Sequence, residues 1–86
     1  MLLRLDGYLT CTTISSFAQT CEAYLRRGIR TVDLDVQRLL TIDVMGLEGL
    51  HRLQAMGLRI RVHHASPFIR TLLASGPLEH CIENEA

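Results

Sequence analysis

The side chains that could do chemistry in this chain are few and scattered. Its histidines are His51, His63, His64 and His80, and its thiols are Cys11, Cys21 and Cys81. Metal ligation needs donors at spacings that a helix face or a turn can bring onto one ion. His63-His64, taken with His51, His80 and Cys81, matches no such spacing, so no metal is expected. Covalent catalysis needs a nucleophile with a base in reach. Cys11 is the thiol that reads as exposed, and the pattern puts no histidine beside it. Cys21 falls in an apolar helical stripe. There is no glycine-rich phosphate loop of P-loop or dinucleotide-binding form. The informative carboxylate is Asp43, which stands where a strand-like pattern gives way to a helical one. Its side chain can accept the orphan N–H groups of a first helical turn and complement the positive end of the helix dipole. A carboxylate so engaged is a cap rather than a base or a cation ligand, although a helix N-terminus can still attract an anion. The reading is therefore of a non-enzyme without a cofactor.

The elements that would hold Asp43 follow from periodicity. Residues 2–9 read as a first strand, with Leu3 and Leu5 on one side, Arg4 and Asp6 on the other, and Gly7 at a bulge or an end. Thr10-Cys11-Thr12-Thr13 is a polar connection. Ile14, Phe17, Ala18, Cys21, Tyr24 and Leu25 fall at helical spacing. Arg26 and Arg27 suit the last turn, and Gly28 is placed to end the helix. Residues 30–35 form a second strand with Val32 and Leu34 inward, and 36–42 read as a connection. The helix opened by Asp43 runs to about Met56 and stops at Gly57. Gly46, in its first turn, lets another backbone or a partner come close. Leu58, Ile60 and Val62 alternate with Arg59, Arg61 and His63, which gives a third strand. Ser66 and Pro67 start a short helix with Phe68, Ile69, Leu72 and Leu73 inward, ending at Gly76. Residues 78–82 read as a short last strand.

This order, β-α-β-α-β-α-β, indicates an α/β fold. The expected architecture is a small single layer: a four-stranded, mostly mixed sheet with about three helices, mainly on one face. Arg4, Asp33, Asp35, Arg59, Arg61 and His63 would share the opposite face, where unlike charges on neighbouring strands can pair.

Size and charge bound the function. Eighty-six residues make one domain, spanning 1–86. A chain of this length buries roughly 60–65% of the surface it exposes when unfolded. That favours binding across a surface over a deep, dry active site. Formal net charge is zero and every basic residue is an arginine, so the electrostatic footprint of nucleic-acid binding is missing. Near-zero charge favours self-association, as in a homodimer, or a stable partner. No apolar run is long enough for a membrane span, and the start is too short and too charged for a signal peptide. Three cysteines without a C-x-x-C pair suit a reducing compartment. A cytoplasmic protein is expected.

Four segments together resemble the STAS domain, the sulfate-transporter and anti-sigma-factor-antagonist family. Leu5-Asp6-Gly7-Tyr8-Leu9, with the polar turn and helix after it, is like the family's L-x-G-x-L-D opening. Val32-Asp33-Leu34-Asp35 followed by Ile42-Asp43-Val44-Met45-Gly46-Leu47 is like its D-L-S…D-S-S-G-L core. Gly57-Leu58-Arg59-Ile60-Arg61-Val62 is the third. Ser66-Pro67-Phe68-Ile69-Arg70-Thr71-Leu72-Leu73, leading to Ser75-Gly76-Pro77-Leu78, is like its closing motif. The family's usual first strand and final helix have no counterpart. The resemblance implies a bacterial protein-binding module in signal transduction and transcription regulation. Its partner would be an anti-sigma factor or kinase-like regulator. A second option from the same family is the small STAS subunit of a lipid-transport ATPase complex. A different class, a small nucleotide-binding protein or enzyme using the Asp43 helix start, stands as the alternative.

In the family, a kinase phosphorylates the Ser or Thr directly after the core Asp, and the phosphate ejects the module from its partner. Here that position is Val44 and the next is Met45, neither of which can be phosphorylated. The resemblance thus implies a contact patch of Thr12, Asp43, Val44, Met45, Glu48 and Arg52 that binds constitutively.

Overall fold

The computed structural model describes residues 1–74 and 81–82. It contains β1 (Leu2–Arg4), β2 (Gly7–Leu9), α1 (Ile14–Arg26), β3 (Thr31–Asp35), β4 (Leu39–Ile42), α2 (Val44–Ala55), β5 (Arg59–His63) and α3 (Pro67–Ala74). The strands form two sheets, one ordered β1-β3-β5 and one β2-β4. Every strand pairing among the described residues is parallel. This replaces the expected four-stranded mixed sheet with five strands in two parallel sheets.

The split has a local cause. Residues 2–9 do not run as one strand, because Gly7 adopts a left-handed φ of +78°. The chain changes partner there. The Leu5 amide still donates to Asp35 in line with β3, at 2.9 Å, whereas the Gly7 amide donates to Arg38, at 3.0 Å. The expected connection at 36–42 is the partner: after a turn closed by Leu39 N–H to Val36 O, its second half is β4. Its apolar pattern does not alternate because the register shifts between Gly7 and Tyr8, whose partners are Leu39 and Thr41. Leu40 is the extra residue and is thrown outward, 60% exposed.

The helix boundaries follow the caps. Gly28 at φ +87° and Gly57 at φ +102° terminate α1 and α2, a conformation that costs a side-chain-bearing residue most. Ser66 Oγ accepts from the Ile69 amide at 3.2 Å and opens α3. The proposed Gly76 stop and residues 78–80 of the last strand lie outside the described residues. Ile82 forms a parallel bridge to Val62.

One cluster joins Val32 and Leu34 of β3, Ile60 and Val62 of β5, Phe17 and Cys21 of α1, Leu50 and Leu53 of α2, and Ile69 and Leu73 of α3. The inward strand face is thus covered by all three helices. Phe68, expected inward, is 57% exposed; Ile69 and Leu73 bury the helix instead. On the other strand face Asp33 lies opposite Arg61 and Asp35 opposite His63. Arg61 reaches Asp33 at 2.8 Å, and His63 reaches the same carboxylate diagonally at 2.8 Å. Two donors on one carboxylate, His63 foremost, hold Asp33 below the ordinary carboxylate range.

Candidate functional site

Asp43 fastens the start of α2 to the rest of the domain. One oxygen accepts from the Gly46 amide at 2.8 Å, which caps the helix, and the other accepts from the Cys11 amide at 3.1 Å. The Asp43 amide donates to Leu9 O at 3.1 Å. The end of β2, the turn before α1 and the first turn of α2 therefore meet at one residue. Gly46 makes this closeness possible: a Cβ there would overlap the Leu9 carbonyl oxygen and lie 2.9 Å from Ile42 Cγ2. A second close approach follows one turn on, where a Cβ on Gly49 would run into the Ile14 side chain. The two glycines seat α2 against β2 and against α1.

With the buried side of α2 fixed in this way, its tip faces outward. Val44 is 68% exposed and Met45 49% exposed. Exposed β-branched and thioether side chains at a helix start contribute nothing to the core. Behind the tip, α1 and α2 border an open groove of about 220 Å³. Ile14, Ala18, Met45, Gly49, Leu53 and Met56 supply its apolar lining, and Glu22, Glu48 and Arg52 its charged groups. Cys11, whose amide is held by Asp43, also lines it.

The structure thus brings together Asp43, Met45, Glu48 and Arg52, with Val44 at the tip. Thr12 is exposed on the neighbouring turn, its hydroxyl 3.0 Å from that of Thr10. The sequence patch omitted the α1 side of the groove, Ile14, Ala18 and Glu22. Their i, i+4, i+8 spacing was visible, but which helix they would face was not.

The thiols separate by environment. Cys11 is exposed, whereas Cys21 and Cys81 are buried. Burial, with the Glu22 charge adding to it, pushes the Cys21 thiol up to about 11. Burial also raises Cys81, against the hydrogen bond from Gln54. No group of three or more histidine, cysteine or acidic side chains is placed to hold a metal among the described residues. No helix of the described residues is long and apolar enough to cross a membrane.

A small α/β domain with parallel strands, three helices and an exposed, aspartate-capped helix start is the class these features define. The sequence matches the family described as "Mlab, STAS domain" over residues 1–83, and the chain belongs to the STAS domain family. Among solved structures it is similar to the anti-sigma factor antagonist SpoIIAA in its unphosphorylated form. The TM-score is 0.70 at 20% identity, covering 99% of this chain and 79% of that one. The Bacillus cell fate determinant SpoIIAA in its phosphorylated form gives 0.69 at 20% identity, covering 99% and 81%. At this identity the likeness is one of fold. A partial likeness to Mglu in its native form, at a TM-score of 0.50 and 26% identity, covers 71% of this chain and 20% of that one. Comparison with curated proteins finds no match.

Proposed function

We propose that this chain is a non-catalytic protein-binding module of the anti-sigma factor antagonist type, and that it binds its partner constitutively through the tip of α2. The observation that carries this reading is the exposure of Val44 and Met45 on a rigidly seated helix start. We read Val44, directly after the capping Asp43, as the position of the family's phospho-acceptor. A phosphate there would bring two negative charges onto a contact surface and block association by desolvation and repulsion. Valine has no hydroxyl to modify, so the tip stays apolar and available. Thr12, Asp43, Met45, Glu48 and Arg52 complete the contact patch. The leading partner class is an anti-sigma factor or kinase-like regulator in the bacterial cytoplasm.

The lack of a hydroxyl at position 44 favours one second reading within the binding class. A permanent subunit needs no switch, so a tip that cannot be phosphorylated also suits the STAS subunit of a lipid-transport ATPase complex.

The test is a pull-down from the native host with the tagged chain, alongside a Val44→Asp bait, followed by direct affinity measurement on the protein identified. Aspartate at the first helical position suits the helix dipole, so the variant stays folded. Capture of a kinase-like regulator or a transporter subunit by the native bait and its loss with the variant is the expected result. Equal capture by both baits would move the interface elsewhere.

A further inference from the structure

The tip of α2 is continuous with the groove between α1 and α2, and the groove has a chemistry of its own. Its size decides the kind of occupant. At about 220 Å³ it is smaller than the roughly 300–1,000 Å³ of pockets for drug-sized ligands, so it suits one or two aliphatic side chains. Its shape decides the conformation they arrive in. The walls are two helical stripes, Ile14, Ala18 and Glu22 on α1 and Met45, Gly49 and Leu53 on α2. Eight residues of α1 at 1.5 Å each make the groove about 12 Å long. An extended segment gains affinity by adding to a sheet edge, and helix flanks offer none, because their backbone groups are already paired within each helix. A second helix laid along the groove instead presents side chains one turn apart. Met45 and Met56, both 49% exposed, can repack around such a guest.

The charges decide the guest's composition. Glu22, Glu48 and Arg52 stand around the groove. Glu48 and Arg52 are four residues apart on one helix, yet among the described residues no ion pair joins them. Two carboxylates against one guanidinium leave the groove's charged lining net acidic. We infer that the groove receives an amphipathic helix of a partner protein, with an aliphatic side chain on the groove floor and a lysine or arginine one turn away against Glu22 and Glu48. This rests on the binding-module reading and names the partner's recognition element.

The experiment is an NMR titration of the full 86-residue chain with two synthetic amphipathic peptides of about four helical turns. Both carry leucine anchors; one flanks them with lysine and the other with glutamate. The expected result is shifts at the Ala18, Gly49 and Leu53 amides with the lysine peptide and at least ten-fold weaker binding of the glutamate peptide. The Glu22→Lys/Glu48→Lys double variant should invert that preference, and both charges are on helix surfaces, so it folds. Shifts without a charge preference, shifts confined to other residues, or no shift with either peptide would overturn the groove assignment. Failure of this inference is separable from failure of the parent reading. A native partner lost with Val44→Asp but held by the double variant refutes the groove and leaves the tip. A partner indifferent to Val44→Asp refutes the tip, while inverted peptide preference still upholds the groove.

Discussion

Replacing Gly46 with alanine tests the seating of α2 directly, because two opposing effects can be weighed from the structure. In an unconstrained helix, Gly→Ala stabilises by about 1 kcal/mol through backbone entropy. Here the added methyl would overlap the Leu9 carbonyl oxygen and sit 2.9 Å from Ile42 Cγ2. The carbonyl is main chain at the end of β2 and already accepts from the Asp43 amide at 3.1 Å. It cannot rotate away as a side chain would; either β2 or the first turn of α2 must move. Overpacking of this kind costs typically 1–3 kcal/mol, and a main-chain obstacle argues for the upper end, about 3 kcal/mol. Net of propensity, Gly46→Ala should destabilise by about 2 kcal/mol, which lowers Tm by about 10 °C for a domain of this size. Gly49→Ala is the internal control. Its methyl meets Ile14 Cγ1 and Cδ1, the outer atoms of a side chain that can change rotamer, so its net cost should be below about 1 kcal/mol. Urea and thermal unfolding followed by circular dichroism would read both. A Gly46→Ala variant as stable as the parent, or a Gly49→Ala variant that loses more, would refute the reasoning.

Further outcomes follow from the same contacts. Asp43→Ala removes the cap and the acceptor of the Cys11 amide, and should cost about 1–2 kcal/mol; hydrogen exchange should accelerate at the Gly46 and Cys11 amides, and Asp43→Asn should retain most of the stability. Because the folded-state pKa of Asp33 is lowered from its ordinary value of 3.8, its contribution is fully present above that value. It is lost as pH falls through the lowered folded-state value; Asp33→Asn should therefore flatten the acid limb of the stability curve, and His63→Ala should raise the Asp33 titration midpoint seen by NMR. Ellman's reagent near pH 8 should label Cys11 rapidly in the native chain and reach buried Cys21 and Cys81 only on unfolding, so a native count of two or more fast thiols would contradict their burial.

Which parts of this were legible beforehand depended on how local their cause is. The Asp43 cap, the Gly28 and Gly57 stops and the Ser66 start are decided within four residues, so residue type and spacing were sufficient. The inward faces of β3 and β5 followed from strict alternation, and so did the placing of Asp33, Arg61 and His63 on one charged face; that Asp33 stands opposite Arg61 came only with the register. Arg4 lies opposite Asp35 in register, but Asp35 instead accepts the Gln37 amide at 3.0 Å, a competition that a strand pattern does not encode. β4 was hidden because its bulge breaks the period of two that marks a strand. The parallel direction of the pairs was likewise unreadable, since direction is set by how the crossover helices return the chain.

The sequence by itself determined the α/β order, the capped helix start at Asp43 and the absence of a hydroxyl at position 44, all consequences of residue identity along a short stretch of chain. Only the tertiary structure decided that Val44 and Met45 face outward. That outcome depends on Gly46 resting on the Leu9 carbonyl and Gly49 on Ile14, contacts between residues more than thirty positions apart. The groove was decided in the same way, because Glu22 and Glu48 belong to different helices and share a surface only once the two are packed side by side.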